Sequence, residues 1–254
     1  MLSPIALWYL IILEPILNVL IALSHILFGQ FGLAIIALTV IVRFVSWPLN
    51  RRQLRSTKAL QDLQPKMQEL QKKYGKNQQK LQQEMMKLYK EAGVNPLGCL
   101  WPMLVQFPIW IALYQSIMRA LAVTPENLLA LHGHLYSWEV VRQAIPLSSQ
   151  FLWLNLGQPD PYFILAIVVG GTMWVQQKMT QAPTADPRQQ STTRMMTLMM
   201  PLMFGMLTLM FPSGLALFWA VSNIIGIITQ YFVTGGWGYL KFGSPFQSTP
   251  AKGQ

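Results

Sequence analysis

TVIVRFVSWPLNRRQ (residues 39–53) places one arginine, Arg43, inside an apolar run that ends at the basic pair Arg51 and Arg52. On a helix the eight residues from Arg43 to Arg51 rise about 12 Å. If Arg51 and Arg52 mark a membrane edge, Arg43 lies well inside it and its charge needs an explanation. A fold that explains Arg43 must bring water, or a polar wall, to that depth.

The composition defines the class. Of 254 residues, 52% are hydrophobic and 11% charged, against about 25% charged in an ordinary soluble domain. With fifteen Met and nine Trp added, so few charges cannot cover the apolar surface of a soluble fold. The expected class is an all-α integral membrane protein. The formal charge of +10 is concentrated: 11 of the 19 Lys and Arg fall between Arg51 and Lys90, with only Asp62, Glu69 and Glu84 among them. Beside membrane spans, such a block reads as a cytosolic anchor facing anionic lipid. Cys99, the single cysteine, excludes an internal disulfide and a cysteine metal site. No Lys or Arg precedes Arg43, so neither a basic cleavable leader nor an Arg-rich transit segment is expected.

Hydropathy predicts five spans, at about Phe31–Leu49, Leu97–Ala120, Tyr162–Gln177, Met196–Phe211 and Leu215–Phe232, near the roughly 20 residues a bilayer requires. The first stretch is apolar but broken by Pro4, Glu14 and Pro15. It is expected to lie along the interface rather than bury Glu14 at mid-membrane. Residues 50–95, the loop with Lys178, Arg188 and Arg194, and the tail with Lys241 and Lys252 alternate with segments holding only Arg119 and Arg142. That places the N-terminus outside and the C-terminus in the cytosol. The expected organisation is an external interfacial helix (1–28), a first span (29–50), a cytosolic basic hairpin (51–95), a second span (96–121), an external loop with short helices (122–160), three further spans (161–233) and a short cytosolic tail (234–254).

Within the hairpin, Leu60, Leu63, Met67, Leu70 and Tyr74, then Leu81, Met85, Leu88 and Ala92, keep helical spacing on either side of Gly75–Asn77. Two amphipathic helices pairing through these stripes fit the pattern, with Pro65 restarting the first. Lys66, Lys72, Lys73, Lys80 and Lys87 form the expected basic face, and a merely solvated face is its simplest reading. His132 and His134 lack a third ligand, so no metal is expected. The spans carry no Asp, Glu or His, and neither GxSxG nor a phosphate loop occurs. No enzyme and no cofactor are expected.

The polar groups inside the spans are Arg43, Gln106, Gln115, Gln176, Asn223 and Gln230. Arg43 is open to two readings: it snorkels to headgroups, or it faces a hydrated cavity open to the cytosol. The amides either bond helix to helix or line that same cavity. Met199, Met203, Met206 and Met210 recur at helical spacing, either as packing between spans or as an adaptable surface for variable apolar segments.

Four stretches carry a resemblance: VRFVSWPLNRRQLRSTKALQDLQPKMQELQKKYG, MMKLYKEAGVNPLGCLWPMLVQFPIWIALY, DPYFIL and FPSGLALFWAVSNIIGIITQY. In this order, over about residues 28–233, the chain resembles the YidC/Oxa1/Alb3 family of membrane protein insertases, in a form without the large external domain of many members. The resemblance implies five core spans, a cytosolic hairpin and a groove closed to the outside. It implies clients that are nascent membrane proteins, with the ribosome and the Sec translocon as partners, and a bacterial inner membrane as the location, a thylakoid membrane being the alternative. Arg43 matches the family's groove arginine, and Gln106 falls in its motif. Pro48, Pro96, Pro108 and Pro212 match helix ends or kinks. The groove set expected is therefore Arg43, Gln106, Asn223 and Gln230. Aromatic residues are not interleaved through the basic faces, so sequence-specific nucleic-acid binding is not expected. The rival readings are a membrane scaffold or ribosome receptor and, less favoured, a small-solute channel.

Overall fold

The structure, a computed structural model, describes residues 7–75, 77–93, 100–121, 133–143, 147–180, 187–238 and 240. Pro96, Cys99, Glu126, His132, Lys241 and Lys252 lie outside the described residues. The protein is mostly helical. A π-helical turn, Tyr9–Leu13, runs into α1 (Glu14–Ile26), and a turn leads to α2 (Phe31–Val45). Gly29 holds the turn with φ +74° and donates its N–H to Ser24 O at 2.8 Å, a left-handed helix cap that glycine adopts without steric cost.

One end of the bundle holds the core. Leu17, Leu20 and Ile21 of α1 and Phe31, Ala34, Ile35 and Leu38 of α2 are fully or almost fully buried in one cluster. Leu113, Ile117 and Ala120 of α6 (Leu100–Ala120) join them, as do residues 215–220 of α10 (Ser213–Thr234). The many close apolar contacts of this cluster stabilise it through packing. A two-stranded hairpin seals the same end: β1 (Gln150–Phe151) pairs antiparallel with β2 (Leu154–Asn155). The Phe151 ring occupies the space a side chain at position 32 would need, so Gly32 is required there. The first turn of α10 is satisfied by the segment after the hairpin. Ser213 N and Gly214 N donate to Gln158 O (2.7 Å) and Leu156 O (3.0 Å), and Ser213 Oγ donates to Asn155 O (2.7 Å). These bonds meet the orphan donors of a helix start.

The polar residues of α1 are matched from neighbouring segments. Asn18 is fully buried; its Nδ2 donates to Glu14 O (2.8 Å) and His134 O (2.9 Å), and its Oδ1 accepts from Tyr136 N (2.7 Å). Glu14 Oε1 and His134 Nδ1 are 3.1 Å apart, and Tyr9 stacks on the His134 ring. His134 is thus engaged by its own surroundings. Asn18→Ala leaves the Tyr136 N–H and two carbonyls without this partner, a cost of about 1–3 kcal/mol. A lower melting temperature in detergent, with loss of amide-exchange protection at Tyr136, is the expected outcome.

At the opposite end, the helix breaks. It turns by 62° at Ser46 and restarts as α3 (Trp47–Asp62), with Pro48 in the first turn of α3. The helix therefore ends short of the expected boundary at Leu49, because proline fits a first turn, where its missing N–H costs nothing. α4 (Gln64–Tyr74) carries Pro65 at its start, and α5 (Gln78–Glu91) is capped by Asn77 Oδ1, which accepts from Lys80 N at 3.1 Å. α4 and α5 pack together, with Tyr89 OH donating to Met67 Sδ at 3.6 Å. A short helix α7 (Glu139–Gln143) lies on α1.

α8 (Ile164–Thr180) starts on Asp160, whose carboxylate accepts from Tyr162 N (3.1 Å) and Leu165 N (2.8 Å). It packs between α10 and α9 (Pro187–Thr208). Gly170 and Gly205 let α8 and α9 touch by backbone: a Cβ at Gly205 would lie 3.1 Å from Ala166 O. Among the described residues, the π-turn with α1 (Tyr9–Ile26) and α10 are long and apolar enough to cross a membrane; the bent α2–α3 pair makes a third if taken as one span.

Candidate functional site

Below the packed end, α2, α3, α8 and α10 diverge around a cavity of about 320 Å³. α10 contributes Gly226, Thr229 and Gln230, one helical face, and α8 contributes Met173, Gln176, Gln177 and Thr180. Arg43 enters from the last turn of α2, and Trp47, Asn50, Gln53, Leu54 and Thr57 line the wall made by α3. The spacing of these α3 residues is again one helical face. The 62° bend turns that face over the mouth of the cavity. α3 is held against the end of α10, where Lys58 Nζ approaches Thr234 O at 3.4 Å; a cation at a helix C-terminus is electrostatically favoured.

Arg43 is half-buried and is the one charged side chain in this lining. Its Nε donates to Ser222 Oγ at 2.8 Å, which fixes the guanidinium against α10. No other hydrogen bond from Arg43 to the described residues occurs, so most of its five donors remain available. Gln230 is buried; its Nε2 donates to Thr180 Oγ1 at 2.7 Å, while its Oε1 has no partner among the described residues. The Gln176 amide lies against Gly226, where a Cβ would come within 2.6 Å of Nε2. Such a site attracts anions and hydrogen-bonds neutral polar groups; it holds no general acid or base pair. Among the described residues no three His, Cys, Asp or Glu side chains are grouped as metal ligands would be.

The structure brings Arg43 and Gln230 together and leaves Gln106 and Asn223 off this lining. The Asn223 amide is turned to α8, where Nδ2 lies 3.3 Å from Thr172 Oγ1 and 3.5 Å from Val169 O. Gln106 is half-buried on α6. Pro48 begins α3, Pro108 lies inside α6, and Pro212 is the N-cap of α10. Asn50, Gln53, Thr57 and Ser222 went unrecognised as site residues, because polar residues on an amphipathic helix carry no mark of the cavity they will face. Their one legible signal is that Asn50, Gln53 and Thr57 share a face just past Arg43.

Two further surfaces lie outside this lining. Met199, Met203, Met206 and Met210 are all more than half exposed, up to 79% at Met210. Phe204 of α9 meets Trp110 and Trp219 edge-on. In the α4–α5 hairpin, Lys66, Lys73 and Lys87 share a cleft with Glu69, Glu84 and Glu91, a mixed rather than purely basic lining. Lys87 Nζ and Glu84 Oε1 are 2.7 Å apart, and this hydrogen bond holds the Glu84 carboxyl below its ordinary range. Lys73 and Lys80 lie over the Tyr74 ring. Lys72 is exposed.

Residues 23–237 match the family described as 60Kd inner membrane protein. Among curated proteins, the chain is similar to the membrane protein insertase YidC of Histophilus somni strain 2336, 41% identical over 229 residues, which are 90% of this chain and 38% of the relative. The protein of the same name from Nitratidesulfovibrio vulgaris is 37% identical over 226 residues (89% and 38%). That from Geobacter sulfurreducens is 36% identical over 226 residues, with the same shares. The chain spans about 38% of the length of these relatives.

Proposed function

The chain belongs to the 60Kd inner membrane protein family, and from that premise we propose that it inserts hydrophobic segments of newly made proteins into a bacterial inner membrane. The observation that carries this reading is the polar cavity around Arg43, roofed by packed apolar residues at one end and bordered by α3 at the other. In this account α2, α6, α8, α9 and α10 are the five spans. The α4–α5 hairpin and the tail face the cytosol, and the N-terminal helix and the β-hairpin lie at the outer face. The site set is Arg43, Gln230 and the α3 face, with Gln106 and Asn223 contacting clients as they leave the cavity. Met199, Met203, Met206 and Met210 form an adaptable apolar flank.

A client's polar external segment enters the cavity, attracted by Arg43 when acidic, while its apolar segment moves into lipid beside it. Burying each CH₂ of that segment releases about 0.8 kcal/mol, so the lipid supplies the driving force. The protein lowers the barrier for the polar part, which is costly in hydrocarbon. No covalent step is needed. The hairpin meets the ribosome through phosphate attraction and meets anionic lipid through its lysines; the protein acts alone or beside the Sec translocon. A small-solute channel fits less well, because residues 215–220 of α10, packed under Leu154 and Leu156, block a path to the other end.

The test is reconstitution. Purified protein in liposomes should protect the membrane segment of a newly synthesised single-span client from protease, where empty liposomes should not. Recruitment of the ribosome without protection would instead identify a receptor or scaffold.

A further inference from the structure

An apolar groove of about 470 Å³ runs between α8 and α9, and it shares no residue with the polar cavity. Ile167 and Trp174 of α8 and Leu202 and Met206 of α9 form its walls, and all four are more than one-third exposed. Gly171 leaves the groove open, since a Cβ there would meet nothing within 4 Å. The lining holds no charged, amide or hydroxyl side chain.

The register of the two helices decides what stands at the end of this groove. α8 and α9 run antiparallel, with Ala166 against Gly205, Gly170 against Pro201 and Gln177 against Met200. Lys178 lies one turn beyond Trp174 on the same face of α8, and the register puts Arg194 of α9 level with it. Both are exposed, and neither has a hydrogen bond or ion pair among the described residues. α8, α9 and α10 contain no Asp or Glu. Two like charges set level across a helix pair repel unless an anion lies between them. Snorkelling accounts for a cation at a helix end, but it gives no reason for an apolar groove that ends between two of them. From Ile167 to Lys178 a helix rises about 16 Å, close to half of a hydrocarbon core about 30 Å thick. The groove with its two cations therefore matches one leaflet's lipid in length and in polarity.

We propose that this groove is a binding site for one anionic phospholipid of the cytosolic leaflet. Its acyl chain lies along Ile167, Gly171 and Trp174, and its phosphate sits between Lys178 and Arg194. The site takes from the insertase reading only that α8 and α9 cross the bilayer with this end toward the cytosol; it does not depend on insertion itself.

Native mass spectrometry of the full chain in detergent tests the site, with dioleoyl phosphatidylglycerol or phosphatidylcholine of the same chains added in steps. One phosphatidylglycerol should be retained per protein, about thirtyfold more tightly than phosphatidylcholine. Lys178→Gln and Arg194→Gln should each weaken phosphatidylglycerol about fivefold, and together about thirtyfold, to the level of phosphatidylcholine. Gly171→Leu requires no neighbour to move and should weaken both lipids alike. Unchanged melting temperatures in these variants would exclude a lost fold as the cause. Lys72→Gln, exposed on the hairpin, should retain phosphatidylglycerol as the wild type does. Equal retention of the two lipids by wild-type protein overturns the proposal, as does undiminished phosphatidylglycerol binding in the double variant or an equal loss in Lys72→Gln. Dihexanoyl phosphatidylglycerol bound as tightly as the dioleoyl lipid would reveal an anion site without the groove, and overturns it too. Failure to protect a client in proteoliposomes, with lipid retention intact, would count against the insertase reading alone.

Discussion

Arg43→Ala is expected to slow insertion of a client with an acidic external segment by about tenfold, while a matched neutral client changes by less than about twofold. The magnitude follows from the setting. A charge pair 4 Å apart contributes about 4 kcal/mol at an effective dielectric of 20 and about 1 kcal/mol in water. The cavity is walled largely by amides and hydroxyls, so its setting lies nearer the wet limit. Arg43→Lys should keep much of the preference and lose part of the rate, because lysine cannot reproduce the planar fork or the Nε bond to Ser222. Timed protease protection in proteoliposomes, with paired clients differing only in Asp versus Asn, reads this directly. Equal loss for both clients would assign Arg43 to holding α2 against α10 rather than to attraction.

Gly226→Leu is expected to reduce insertion of acidic and neutral clients alike, by more than tenfold, by filling the site. A Cβ at position 226 meets the end of the Gln176 side chain, not backbone, so Gln176 yields and the leucine occupies the cavity. Replacing an interior glycine also recovers about 1 kcal/mol of helix propensity, which offsets part of the crowding. The melting temperature in detergent should therefore stay within a few degrees of wild type. Gly226→Ala should fall between the two. Wild-type rates in the leucine variant would show that clients take another path.

The sequence made some of this legible and hid the rest for identifiable reasons. Arg43 announced itself because a charge eight residues inside a basic edge has few explanations, and it lies in the lining of a cavity. Pro65 and the Gly75–Asn77 turn were readable because proline and glycine act locally on the backbone. The 62° bend at Ser46 was legible in place but not in direction: Pro48 matches a helix end or kink, yet hydropathy does not say which way the chain turns. For the same reason Asn50, Gln53 and Thr57 read as the start of a solvated helix, when the bend turns them over a cavity. The Ser222 partner of Arg43 lies 179 residues away, a relation only packing creates. The methionine stripe of α9 admits two readings, because helical spacing puts side chains on one face without saying what covers that face.

The central claim is that a client's polar segment passes through the cavity bounded by Arg43, α3 and Gln230. The most direct measurement places a photoreactive residue at Gln53, on the cavity wall, and a second at Met206, on the outer face of α9. Ribosome-bound membrane proteins of increasing length are then crosslinked in inner-membrane vesicles. The account predicts a crosslink from Gln53 to the external segment at intermediate lengths only, lost once the segment has crossed, with the apolar segment reaching Met206 later. A crosslink at Met206 with none at Gln53 at any length would contradict it.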